Sequence, residues 1–153
     1  MGFKQKIIAS IVLIVLLIGA FLYALQPNED YSNKIMSILS KQEKTMVQDI
    51  FSFEFDRAYI FNDCYISGNG LNQRYDLGLS IAQVETGVSE NIQRIVFVNE
   101  SGSFVYEFQC DSNEILLLEK GIVIYPETVI ERESLDSENP FILKFNSSER
   151  YDL

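Results

Sequence analysis

The distribution of apolar and charged positions divides the chain into three parts. A six-residue head holding Lys4 and Lys6 precedes nineteen uncharged residues, Ile7 to Leu25 (IIASIVLIVLLIGAFLYAL), and residues 26–153 then mix apolar and charged positions throughout. At ~1.5 Å rise per helical residue, the uncharged run spans roughly the 30 Å hydrocarbon core of a bilayer, so it predicts a single transmembrane helix over 7–25. Basic residues beside a span stay cytoplasmic, which puts the head at 1–6 inside and the domain at 26–153 outside. Tyr23 falls near the outer interface. A cleavable signal peptide is the competing reading. It requires a small-x-small cleavage site, yet Leu22-Tyr23-Ala24 begins with a bulky residue and Ile18-Gly19-Ala20 would cut within the apolar run.

Beyond the run, Gln26-Pro27-Asn28 interrupts the helical register. A second helix is predicted over 28–50, capped by Asn28 or Asp30, with Ile35, Leu39, Met46 and Ile50 on one face and Gln42 interrupting it. From Phe53 the period shortens to two. Strands are predicted at Phe53–Phe61, Ile92–Val98, Phe104–Gln109, Ile115–Leu118, Ile122–Tyr125, Thr128–Arg132 and Phe141–Phe145. Asn99-Glu100-Ser101-Gly102 joins two of them as a hairpin whose glycine takes a positive φ and leads into a bulge. On the returning strand Phe104, Tyr106 and Phe108 are expected on the buried side. The stretch 62–91 reads as a turn at Ser67-Gly68-Asn69-Gly70 and at most a short helix near Leu79–Glu85. Strands in succession with one long helix to cover them define an α+β class: a helix packed on a mainly antiparallel sheet.

Charge adds a restriction. All 22 acidic residues and ten of the twelve basic ones lie beyond residue 28, leaving that part with a net charge of −12. Such a surface repels nucleic acid and favours solubility or a protein partner with a basic surface. The chain has neither His nor Trp, so the commonest general base and the commonest zinc ligand are missing. No cofactor, metal site or catalytic group is expected, and the chain reads as non-enzymatic.

The remaining candidates are few. Cys64 and Cys110 either form a disulfide closing a loop of about 45 residues, which an extracytoplasmic compartment permits, or are two buried thiols. Glu54/Asp56 and Glu131/Glu133 each project to one side of a strand, as glycoside hydrolysis or metal binding requires, but solvated sides of amphipathic strands are the simpler reading. Asp111-Ser112-Asn113-Glu114 lacks the glycine and distant glutamate of a calcium loop and reads as a polar turn. Ser67-Gly68-Asn69-Gly70 lacks the lysine and the helix start of a phosphate cradle. Asn99-Glu100-Ser101 and Asn146-Ser147-Ser148 fit the N-glycosylation pattern, which has meaning only in a eukaryotic source.

The segment Phe53-x-Phe55-Asp56-x-x-Tyr59-Ile60-Phe61, followed by Ile95-Val96-Phe97-Val98 and Phe104-Val105-Tyr106, resembles a group of small bacterial exported or membrane-anchored proteins of uncharacterised function. Their equivalent strand carries Trp-Asp-Lys-x-Tyr-x-Phe, where this chain has Phe55 for the tryptophan and Arg57 for the lysine. The resemblance covers about half the chain and implies a Gram-positive origin, an exported compartment and a sheet. It implies no activity. Three roles are then open: a membrane-anchored interaction module, a membrane-anchored hydrolase using a carboxylate pair, and an immunity or inhibitor protein masking a basic partner.

Overall fold

The computed structural model describes residues 30–62, 65–87, 89–133 and 140–151, which apart from Asp30 belong to one compact unit beginning at Tyr31. The element order is α1 (Tyr31–Leu39), β1 (Lys44–Met46), α2 (Val47–Ile50), β2 (Arg57–Phe61), α3 (Gly68–Tyr75), β3 (Ile92–Val98), β4 (Phe104–Asp111), β5 (Ile115–Leu117), β6 (Val123–Ile124), β7 (Val129–Arg132) and β8 (Phe141–Phe145). The strands form two four-stranded sheets, ordered β1-β7-β8-β5 and β4-β3-β2-β6. All pairs are antiparallel except β5 with β8.

The α+β expectation of one sheet covered by a long helix is therefore incorrect: the domain is mostly β, in two sheets, with short helices. Among the described residues no helix is long and apolar enough to cross a membrane. The uncharged run 7–25 lies outside the described residues. The long helix expected over 28–50 ends at Leu39, because Ser40 to Lys44 offers five exposed polar positions and no apolar residue at i+3 or i+4. Residues 44–46 instead pair with β7, with Thr45 turned inward opposite Ile130. Met46, expected on the buried helical face, is 41% exposed.

Two cores explain the layering. Ala58, Ile60, Ile95, Phe97, Phe108 and Cys110 from the β4-β3-β2-β6 sheet meet Ile115, Leu117, Ile130, Phe141, Leu143 and Phe145 from the other sheet, and Tyr31, Ile35 and Leu39 of α1 join the same cluster. The opposite side of the β4-β3-β2-β6 sheet is also covered. There Tyr59, Phe61, Val96, Val98 and Val123 pack with Leu71 of α3 and with Leu79, Ile81 and Val84 of the following loop. Strands β2 and β3 are consequently apolar on both faces, which is why Ile60 and Ile95 to Val98 are a run rather than an alternation.

The segment between β2 and β3 supplies this second cover. No helix forms at Leu79–Glu85; one forms at Gly68–Tyr75, with Ser67 as its N-cap accepting from the Gly70 N–H. Glycine is required at 68, since a Cβ there would lie 1.7 Å from the Ile81 carbonyl oxygen. Asn72 holds the returning loop in place by donating to the Leu79 carbonyl and accepting from its N–H, at 2.9 and 2.8 Å.

The β3–β4 hairpin has Gly102 at φ 79° and Asn99 accepting from the Ser103 N–H. A bulge shifts the register between Phe97↔Tyr106 and Val98↔Phe104. It splits the aromatic row: Tyr106 and Phe108 face the inter-sheet core, whereas Phe104 packs on the other side with Val98.

Two substitutions test this layering. Phe108, 4% exposed and 5.6 Å ring to ring from Phe51, should cost about 3 kcal/mol or more on replacement by Ala. Unchanged thermal stability would place the other face of β4 in the core. Gly68→Ala should cost about 2 kcal/mol or more through overpacking against the Ile81 backbone, and a wild-type melting temperature would show that α3 does not cover the sheet.

Candidate functional site

The chain crosses from one sheet to the other between α2 and β2, and this crossing leaves a concavity at the surface. The α2 amides of Val47 and Gln48 donate to the carbonyls of Thr128 and Pro126, so the short helix is fixed on the turn between β6 and β7. Leaving it, Phe51-Ser52-Phe53-Glu54-Phe55-Asp56 runs without regular structure to β2, whose first residue is Arg57 rather than the expected Phe53. A cleft of about 620 Å³ opens here, lined by Gln48, the whole 51–56 segment, Asn99 and Pro126.

Its floor is aromatic. Phe51 and Phe55 are buried, and Phe53 is half-buried, packed edge-on against Phe97 with ring centroids 5.0 Å apart and tilted on Tyr106 at 4.9 Å. Each ring pair of this kind adds about 0.5–1.5 kcal/mol to the area it buries. Glu54 and Asp56 alternate with these rings, both exposed, and both line the cleft. Among the described residues neither carboxylate takes a hydrogen bond or an ion pair, and no Lys or Arg lines the cleft. Asp56 is anchored only through its backbone, whose N–H donates to Val98. Arg57 alternates to the other side of the sheet, towards Tyr59 and Glu149.

The other carboxylate pair is not brought together in this way. Glu131 lies on the outer side of β7, between Lys44 and Lys144 in the cross-strand register, whereas Glu133 is past the strand end with its N–H on Ile142. Glu131 lines a second, strongly charged groove of about 560 Å³ with Lys41, Glu43, Lys44 and Arg132. The positive and negative groups in that groove alternate, which leaves it without a dominant sign.

The remaining sequence candidates have structural roles. Asp111 accepts from both the backbone and side-chain nitrogens of Asn113 at 2.8 Å, so its turn is closed on itself. Among the described residues no group of three or more potential metal ligands assembles. The Ser67–Gly70 segment does start a helix, contrary to expectation, but the Gly68 N–H is taken by the Val84 carbonyl at 2.8 Å and the Gly70 N–H by Ser67. Its amides are engaged internally, as a phosphate cradle's cannot be. Cys110 carries a free thiol in the inter-sheet core, and Cys64 lies outside the described residues.

Polar groups that the sequence did not single out sit deeper. Gln93, buried in the inter-sheet core, accepts from the Leu117 N–H at 2.8 Å and donates to its carbonyl at 3.1 Å, so a side-chain amide serves as the neighbouring strand for β5. Arg94 is fully buried beneath the α3 cover, donating to the carbonyls of Glu85 and Ile66 and lying 3.4 Å from Glu107. Burial raises the Glu107 carboxyl above its ordinary value, despite the hydrogen bond from Gln109 and the Arg94 charge beside it. At the far end of the same face, Tyr125 donates a short hydrogen bond to Glu149, which pushes its hydroxyl up to about 12. No period or spacing marks Gln93 or Arg94, since each is one polar residue inside an apolar strand.

No protein-family model matches the chain, and neither the curated proteins nor the solved structures contain a match to it.

Burial raises the Cys110 thiol to about 12 from 9.0, with Asp111 adding to the effect. A raised thiol pKa favours the folded state fully below pH 9, and that stability is lost as pH rises from there through about 12. In a Cys64→Ser protein at pH 8, iodoacetamide should therefore modify Cys110 at least about 100-fold more slowly than in the unfolded chain. Alkylation of native protein at the rate of a free thiol would contradict its burial.

Proposed function

We propose that this chain is a non-enzymatic, single-pass membrane protein that presents an acidic domain outside the cytoplasm to a protein partner with a basic surface. The observation that carries the reading is the division of charge. A head with Lys4 and Lys6 and nineteen uncharged residues precede a domain whose net charge is −12. Membrane attachment rests on the run 7–25, which has the length and apolarity of a span, and orientation rests on the basic head. The resemblance of the Phe53–Phe61 segment to exported or anchored bacterial proteins is consistent with the same compartment.

The partner class follows from electrostatics. A field of one sign accelerates encounter with oppositely charged proteins and disfavours polyanions, and its effect falls as salt rises. An inhibitor or immunity protein covering a basic site is one form of this role. A hydrolase using Glu54 and Asp56 needs one carboxyl desolvated and the other ionised. Both are exposed, which argues against it.

Fractionation and capture test the two halves of the reading. The full chain should stay with membranes after alkaline carbonate washing, and protease added to intact spheroplasts should digest residues beyond about 30. Appearance of a soluble product beginning near residue 21 or 25 would replace the anchor by a cleaved signal. Partners captured from native membranes should be basic and should dissociate as salt rises above about 0.15 M; acidic partners insensitive to salt would contradict the electrostatic half.

A further inference from the structure

The cleft at the α2–β2 crossing has a composition that the fold alone does not demand. A sheet-to-sheet crossing needs its apolar residues buried, and Phe51 and Phe55 satisfy that. Phe53 is different: its ring packs within the cluster of Tyr31, Phe97 and Tyr106, yet the residue is only partly buried and lines the cleft. Glu54 and Asp56 flank it without any ion-pair partner among the described residues, and the amide-bearing Gln48 and Asn99 complete the wall. The Asn99 position is set by its hairpin, where its side-chain oxygen accepts from Ser101 and Ser103. The result is a concave site with an aromatic floor and an acidic rim, within a domain of net charge −12.

We propose that this cleft receives an arginine side chain from a protein partner, with the guanidinium against Phe53 and its charge met by Glu54 and Asp56. The inference rests on the acidic-module reading above and locates its contact. Charge complementarity selects a cation, because two carboxylates and no cation line the cleft. The aromatic floor selects arginine over lysine, since a planar, weakly hydrated guanidinium stacks on a ring and offers a fork of donors to carboxylates, whereas an ammonium is a compact, strongly hydrated point charge. A space of about 620 Å³ accommodates the side chain together with part of its backbone. The rigid ring cluster beneath limits the entropy lost on binding.

The test uses the full chain in phosphatidylcholine nanodiscs, with fluorescein-labelled hexa-arginine as the probe and hexalysine as its comparison, at about 0.15 M salt. Glu54→Gln/Asp56→Asn should weaken hexa-arginine binding by about tenfold, while Glu131→Gln/Glu133→Gln, which removes the same charge elsewhere, should weaken it by less than about twofold. Phe53→Leu, retaining an apolar side chain, should weaken hexa-arginine more than hexalysine. Equal losses in the two double variants would overturn the cleft and leave the acidic-module reading standing. A wild-type protein that fails to bind hexa-arginine at this salt would overturn both. The carboxylate changes are near-isosteric and at exposed positions, so the comparison holds even if Phe53→Leu does not fold.

Discussion

The constraint on which the structure depends is the burial of the β4-β3-β2-β6 sheet on both faces. Ile60, Ile95 and Phe97 face the second sheet, while Phe61, Val96 and Val98 face α3 and the loop beyond it, and each of these six residues is at most 1% exposed. At about 1.5–3 kcal/mol for each large apolar side chain removed from water, neither cover is dispensable in a domain of this size. The rest of the topology serves that double burial. The chain passes repeatedly between sheets: α2–β2 and β5–β6 deliver strands to the doubly covered sheet, and β4–β5 and β6–β7 deliver strands to the sheet that covers one of its faces. The tail closes the β6 edge, with Val123 donating to Glu149 and Tyr151 donating through its backbone to Gly121 and through its hydroxyl to Ile60.

Two buried polar side chains define how the layers are joined. Gln93 gives β5 the hydrogen bonds that a further strand would have made, coupling the two sheets at a point where an apolar residue would leave the Leu117 N–H and carbonyl unmet. Arg94 does the same for the cover, linking β3 to carbonyls at Ile66 and Glu85 on either side of α3. A buried charge of this kind contributes little net stability, because its desolvation offsets much of what its partners return. We read Arg94 as setting where the cover sits rather than how tightly.

Local structure was legible in the sequence where period and turn chemistry act alone. The β3–β4 hairpin, with glycine at its positive-φ position, and β8 at Phe141–Phe145 occur where alternation and turn residues placed them. Two kinds of information were not legible. Double burial erases alternation, so β2 and β3 give no sign of which sheet covers which face. Packing can also demand a residue that local propensity reads otherwise: Gly68 and Gly70 resemble a loop, but Gly68 is required by the Ile81 backbone and the helix begins there. The candidate site was half legible. Alternation marks Glu54 and Asp56 as a pair on a strand face, whereas the cleft arises because the segment carrying them is not a strand at all. Gln48, Asn99 and Pro126 come from distant parts of the chain and join it only through the crossing.

The 51–56 segment combines two tasks, since it buries Phe51 and Phe55 in the core and exposes Glu54 and Asp56 at the surface. The central claim is that one sheet is enclosed from both sides, and native-state amide hydrogen exchange tests it most directly. Amides of Tyr59, Ile60, Val96 and Phe97 should all exchange only through global unfolding, with the same free energy and the same denaturant dependence. Exchange of β2 or β3 amides through local opening, at rates like those of the exposed Asn99–Ser101 turn, would contradict the account and leave one face of the sheet open to solvent.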